Sequence, residues 1–136
     1  TSMQEVFAWS LCLSVGVVLL SIIPLSLGRI KAGYSFKNMS APRALFDDLP
    51  DFGKRAVWCH QNCWESISLH APATILCLIS GVDSDFAELS AWIHPALRFL
   101  YILSYVFNFP IARGLFWASG LISTFILYKE SLLTFI

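Results

Sequence analysis

The chain is 136 residues long, 57% apolar and only 13% charged, and its formal net charge is zero. Soluble domains carry roughly 25% charged residues, so the composition argues against a water-surrounded domain and for one that faces lipid. Zero net charge also leaves no global basic field of the kind that draws a protein to nucleic acid.

The length allows a single unit, 1–136. Its aromatic content of eleven Phe, five Trp and four Tyr suits lipid-facing surfaces and interfacial belts. Residues 6–28 are almost wholly apolar, with Pro24 near the end. About 20 apolar residues cross a bilayer, so a first membrane span is expected here. The run is too long for the apolar region of a signal peptide, and no small-residue cleavage site follows it. Thr1 in place of Met leaves removal of an upstream segment as an expectation.

Residues 29–53 form a polar loop containing Gly33, Asn38, Pro42 and Pro50. A loop of roughly 25 residues is long and is usually functional or mobile. Asp51 is expected to cap the next helix, because its carboxylate can accept from the free N–H groups of a first turn. A second span covers 54–80. It is polar on one face in its first half, apolar in its second, and Pro72 should kink it. A short acidic connection, 81–90, carries Asp83, Asp85 and Glu88. The third span is 94–109 and the fourth 111–133, separated by the tight break Asn108-Phe109-Pro110.

These elements predict an all-α integral membrane four-helix bundle. Arg29, Lys31, Lys37, Arg43, Lys54 and Arg55 crowd the first loop and Arg113 the last, whereas only Lys129 lies near the other end. The positive-inside rule then puts the 29–53 loop on the cytoplasmic or stromal side and both termini on the lumenal or periplasmic side. A bacterial inner membrane or a thylakoid or ER-type membrane would suit this topology.

Polar residues recur at helical spacing. Arg55, Trp58, Asn62, Glu65 and Leu69 form one narrow face of the second span, with Ser66 at its edge and His60 nearly opposite. Arg98, Tyr101, Tyr105 and Asn108 form a face of the third span, and Arg113, Trp117, Gly120 and Thr124 a face of the fourth. Ionisable residues inside a span are functional-site hypotheses with a partner to be named. Glu65 lies about 15 Å past Arg55, and Arg98 about 18 Å before Pro110. Both distances run from the basic side, so Glu65 and Arg98 are expected to pair, as buried charges require. Asn62, Tyr105 and Arg113 lie nearer the basic surface. There, a water-filled pocket could offer cationic and hydroxyl donors to an anionic ligand.

Of the four cysteines, Cys12 and Cys77 read as packed thiols. Cys59 and Cys63 are neighbours on one helix, where geometry disfavours a disulfide. His60 is nearby, but the second pair of ligands that a zinc site needs is absent, so no metal is expected.

Gly33-Tyr34, Pro42-Arg43, Arg55-Ala56 and His60-Gln61-Asn62 with Glu65 resemble the MAPEG family, the membrane-associated proteins in eicosanoid and glutathione metabolism. Arg98, Tyr101, Tyr105, Asn108-Phe109-Pro110, Arg113 and Gly120 resemble its third and fourth helices. The likeness runs from Gly28 onward and is nearest to the short bacterial branch. It implies a homotrimer of four-helix bundles with glutathione as co-substrate between subunits. Asn62, Glu65, Tyr105 and Arg55 would then contact or frame the glutathione, and Arg113 would stabilise its thiolate. A fixed cation lowers a thiol pKa and so raises the concentration of nucleophile. The chain departs from the family's pattern at Trp58, where many members carry a second Arg, at Gly114, where the members that make prostaglandin E carry a Ser, and at Trp117 in place of a hydroxyl-bearing Tyr.

Two functions follow. One is a glutathione transferase or peroxidase acting on lipophilic electrophiles or lipid hydroperoxides. The other is a non-catalytic subunit of a larger membrane complex, which kept the scaffold and lost the chemistry. A transporter fits poorly, because no inverted repeat is visible.

Overall fold

The structure is a computed structural model and describes residues 2–136. Among these residues it contains five α-helices and no strand: α1 (Met3–Leu20), α2 (Ile22–Lys31), α3 (Asp51–Ser80), α4 (Asp85–Val106) and α5 (Pro110–Leu133). The Ser2 hydroxyl starts α1 by accepting from the Glu5 N–H at 3.2 Å.

The expected first span is two helices in one 29-residue rod, Met3–Lys31, interrupted only at Ser21. Pro24 accounts for the break. It has no N–H to give the carbonyl four residues back, and its ring crowds that turn. The Ser21 hydroxyl instead donates to the Val18 carbonyl. This rod and Pro110–Leu133 are both long and apolar enough to cross a membrane.

Helix α3 begins on Pro50, with no side-chain cap. Asp51 is therefore not the cap; it is the first helical residue, where a negative charge complements the helix dipole. Helix α4 starts at Asp85, nine residues before the apolar run suggested. Ser84 caps it through the Ala87 N–H at 3.2 Å, and Asp85 and Glu88 fill its acidic first turn. The acidic connection shrinks accordingly. Asn108 adopts a left-handed φ of 62° between α4 and α5, and the Phe109 N–H closes back on the Ser104 carbonyl at 2.8 Å.

Two apolar clusters make the core. Val6, Phe7, Ala73, Cys77, Val82, Ala87, Ala91 and Leu127 form the one near the termini. Val17, Val18, Cys59, Cys63, Ile67, Tyr101 and Ile102 form the other, toward the long loop. A buried polar layer from α1, α3, α4 and α5 lies between them, made of Ser10, Ser14, His70, His94, Ser123 and Thr124. Where α2 crosses α3, Gly28 faces Gly53 so closely that a Cβ on Gly28 would lie 2.8 Å from the Gly53 Cα. Small residues at such crossings let helix backbones approach.

Candidate functional site

Most of the side chains singled out on α3, α4 and α5 join into one continuous ladder. The Arg113 guanidinium, in the first turn of α5, lies over the Tyr105 ring at 5.0 Å. Tyr105 meets Tyr101 edge-on at 5.7 Å. Tyr101 is buried, and the Arg98 guanidinium stacks on its ring at 4.1 Å. Arg98 then donates from Nη2 to the Asn62 side-chain oxygen at 2.9 Å and to the Cys63 sulfur at 3.6 Å. The Asn62 amide nitrogen donates to Glu65 Oε2 at 3.3 Å.

The expected Glu65–Arg98 ion pair is therefore not direct. The periodicity put both residues at the right depth but not at the right angle about α3. Asn62 stands on the α4 side of that helix and takes the guanidinium, while Glu65 is turned outward and exposed. The amide suits this relay, since it accepts with one atom and donates with the other.

Arg55 is drawn elsewhere. Its Nε and Nη2 both donate to the Val106 carbonyl, at 3.3 and 3.1 Å. That carbonyl ends α4, so Arg55 serves as a side-chain cap at the negative pole of that helix. Trp58 also leaves the ladder and packs on Phe46 with ring centres 5.7 Å apart. The α5 face divides as well. Trp117 is 44% exposed, Gly120 is buried with room for little more than a hydrogen against the Arg98 Cδ, and Thr124 enters the polar layer.

His60 turns toward α2. Trp64 Nε1 donates to its Nε2 at 3.1 Å, so Nδ1 carries the proton and donates to the Ser21 hydroxyl at 2.6 Å. This holds the ring away from the two thiols on the same helix. Cys77 is packed as expected, but Cys12 is exposed and not buried. It lies on the outer face of α1.

The sequence reading missed the His70–His94 pair. The two rings stack with centres 3.5 Å apart and planes within 3° of parallel, and both are fully buried. Ser123 donates to the Gly120 carbonyl and accepts from His94 Nδ1 at 2.8 Å. His70 is held between the Ser10 and Thr124 hydroxyls at 3.0 and 3.1 Å. The pair thereby ties α1, α3, α4 and α5 together. A small cavity beside it, lined by Ser14, His94, Arg98 and Cys63 among others, connects the polar layer to the ladder.

The ladder has cations at Arg113 and Arg98, an aromatic hydroxyl at Tyr105 and an outward carboxylate at Glu65. A comparison of the chain with protein-family models matches residues 6–133 to the MAPEG family. No curated protein and no solved structure matches the chain.

Proposed function

The chain belongs to the MAPEG family, and from that premise we propose that it is an integral membrane glutathione transferase or peroxidase acting on lipophilic electrophiles or lipid hydroperoxides. Its four long helical segments would form a membrane bundle, with the 29–53 loop and Arg113 on the cytoplasmic or stromal side. The carrying observation is Arg113 lying over Tyr105 at the head of a ladder that ends on Asn62 and Glu65.

A thiolate beside Arg113 would be stabilised by the guanidinium and by the positive end of α5, whose first turn Arg113 occupies. In a transfer, the thiolate sulfur bonds to the electrophilic carbon and the leaving group departs with its electron pair. In a peroxide reduction, sulfur takes the distal oxygen and the alcohol leaves. A second glutathione then forms the disulfide and releases water. Glu65 and Asn62 would hold the polar end of the tripeptide.

Glu65 also supports an oligomer. An exposed carboxylate at membrane depth is costly, and a second subunit or a ligand site between subunits would cover it. A homotrimer meets that need.

The test is conjugation of glutathione to chlorodinitrobenzene by the purified, folded protein. Activity should fall about 100-fold in Arg113→Ala, as for loss of one anion-stabilising donor. A folded protein with no turnover would favour the second reading, a non-catalytic subunit of a larger membrane complex. The observation on that side is Trp117, 44% exposed on α5 where a thiolate-binding hydroxyl would be needed.

A further inference from the structure

The hydroxyls of Ser21, Ser104, Ser123 and Ser131 turn back onto carbonyls three or four residues earlier, a ready outlet for a buried serine. Ser10 reaches His70. Ser14 does neither. It is 3% exposed, and its Oγ has no hydrogen-bond partner among the described residues. Buried polar groups are paired as a rule, so the surroundings of Ser14 are informative. It lines the small cavity between α1, α3 and α4.

Two further polar side chains line that cavity with capacity to spare. His94 donates from Nδ1 toward Ser123 and the Gly120 carbonyl, so its Nε2 carries a lone pair. That lone pair lies in the ring plane, where the parallel His70 ring stacked on it cannot reach. Among the described residues, Nε2 makes no hydrogen bond, since all those of His94 run through Nδ1. Arg98, four residues along α4, commits only Nη2, to Asn62 and Cys63. Its Nε and Nη1 donate to no protein group among the described residues. A hydroxyl from α1 therefore meets a lone pair and spare guanidinium N–H groups from α4 around one space.

An occupant must donate to the His94 lone pair and accept from Arg98. The guanidinium disfavours a cation and the lone pair disfavours an anion. The cavity volume is about 10 Å³, at the lower end of what admits one water, about 10–15 Å³. We propose that the cavity binds a single ordered water, which accepts from Arg98, donates to His94 Nε2 and pairs with Ser14 Oγ. Three partners are the usual number for a buried water. The water joins the histidine pair to the ladder and gives Arg98 an acceptor besides Asn62 and Cys63. Every group involved lies inside one bundle, so the inference does not depend on glutathione chemistry.

The sign of one substitution tests this. In a hydrated cavity, Ser14→Ala removes a hydrogen bond, and the unfolding equilibrium constant in detergent should rise about threefold or more. In a dry cavity the same change removes an unpaired buried hydroxyl, and the constant should fall. An unchanged or lower constant would overturn the proposal. The second measurement is a crystal structure of the unaltered protein at a resolution that shows ordered waters, from crystals grown in sodium bromide. It should show one solvent peak within hydrogen-bond reach of Ser14 Oγ, His94 Nε2 and Arg98, with no anomalous signal at the bromine edge. A cavity without density, or a bromide peak in it, would overturn the proposal. Arg113→Ala should leave both results as they are, so failure of the glutathione reading and failure of this one are separable.

Discussion

Arg98 is neutralised at a distance: it bonds to the Asn62 side-chain oxygen at 2.9 Å, and only the far side of that amide reaches a carboxylate. Arg98 is 4% exposed, so this amide and the Tyr101 ring carry most of its solvation. Asn62→Leu should destabilise the protein by about 2–3 kcal/mol, because it leaves a buried cation with only the Cys63 sulfur, at 3.6 Å, as a protein hydrogen-bond acceptor. Asn62→Asp should cost less, since it puts a carboxylate where the amide oxygen was, while its second oxygen gives up the donation to Glu65 Oε2 and faces that carboxylate. Thermal or denaturant unfolding in detergent would measure both. Equal losses in the two variants would show that shape, and not neutralisation of Arg98, is what Asn62 supplies.

The ladder was largely legible in the sequence because its members recur every three or four residues within apolar runs. Their order along each helix came from that spacing, and the family likeness came from the motifs that contain them. Angular position was not legible. Asn62 and Glu65 lie within one turn of each other, and which of them takes Arg98 depends on where α4 lies against α3. The same limit moved Trp58 to the loop side and gave Arg55 to a helix end. His70 and His94 escaped notice because each is a single polar residue in an apolar segment. Only the fold, which brings residues 24 apart in sequence face to face, makes them a pair. The start of α4 could have been found from Ser84 followed by Asp85 and Glu88, a helix-start signal that hydropathy alone overlooks.

The Gly28–Gly53 crossing sets the separation of α2 and α3. A methyl on Gly28 would sit 2.8 Å from the Gly53 Cα, and one on Gly53 would sit 3.2 Å from the Gly28 Cα. Backbone cannot yield as a flexible side chain does. Gly28→Ala should therefore lower stability by about 1–3 kcal/mol, the usual cost of overpacking. Gly16→Ala is the control, because nothing lies within 4 Å of a Cβ there. The melting temperatures of the two variants should differ clearly. A Gly28→Ala protein as stable as Gly16→Ala would mean that the two helices separate at little cost.

The buried histidines should behave as a coupled unit. His70→Leu fills a similar volume but leaves the Ser10 and Thr124 hydroxyls without their ring partner. Hydrogen bonds between helices in membranes average about 0.6 kcal/mol and reach about 1.7. With two bonds lost, a destabilisation of about 1–2 kcal/mol is expected. Thr124→Val removes one of the same bonds, so the double variant should lose less than the sum of the single losses. Strict additivity in a double-mutant cycle would show that Thr124 and His70 do not interact in the folded protein.

The role of Tyr105 separates into ring and hydroxyl. Its ring lies 5.0 Å below the Arg113 guanidinium, and such cation–π contacts contribute about 0.5–2 kcal/mol. If the ring sets the position of the cation that stabilises the thiolate, Tyr105→Phe should keep most of the glutathione-dependent rate. Tyr105→Leu should lower it by about three- to tenfold, as the guanidinium loses its platform. A hydroxyl that itself donates to the thiolate reverses the pattern, with Phe and Leu falling together. Rates at saturating glutathione, taken with the pH dependence of thiolate formation in the bound state, distinguish the two. A shift of that titration to higher pH in Tyr105→Leu, without one in Tyr105→Phe, would place the ring's contribution on Arg113 and not on the ligand itself.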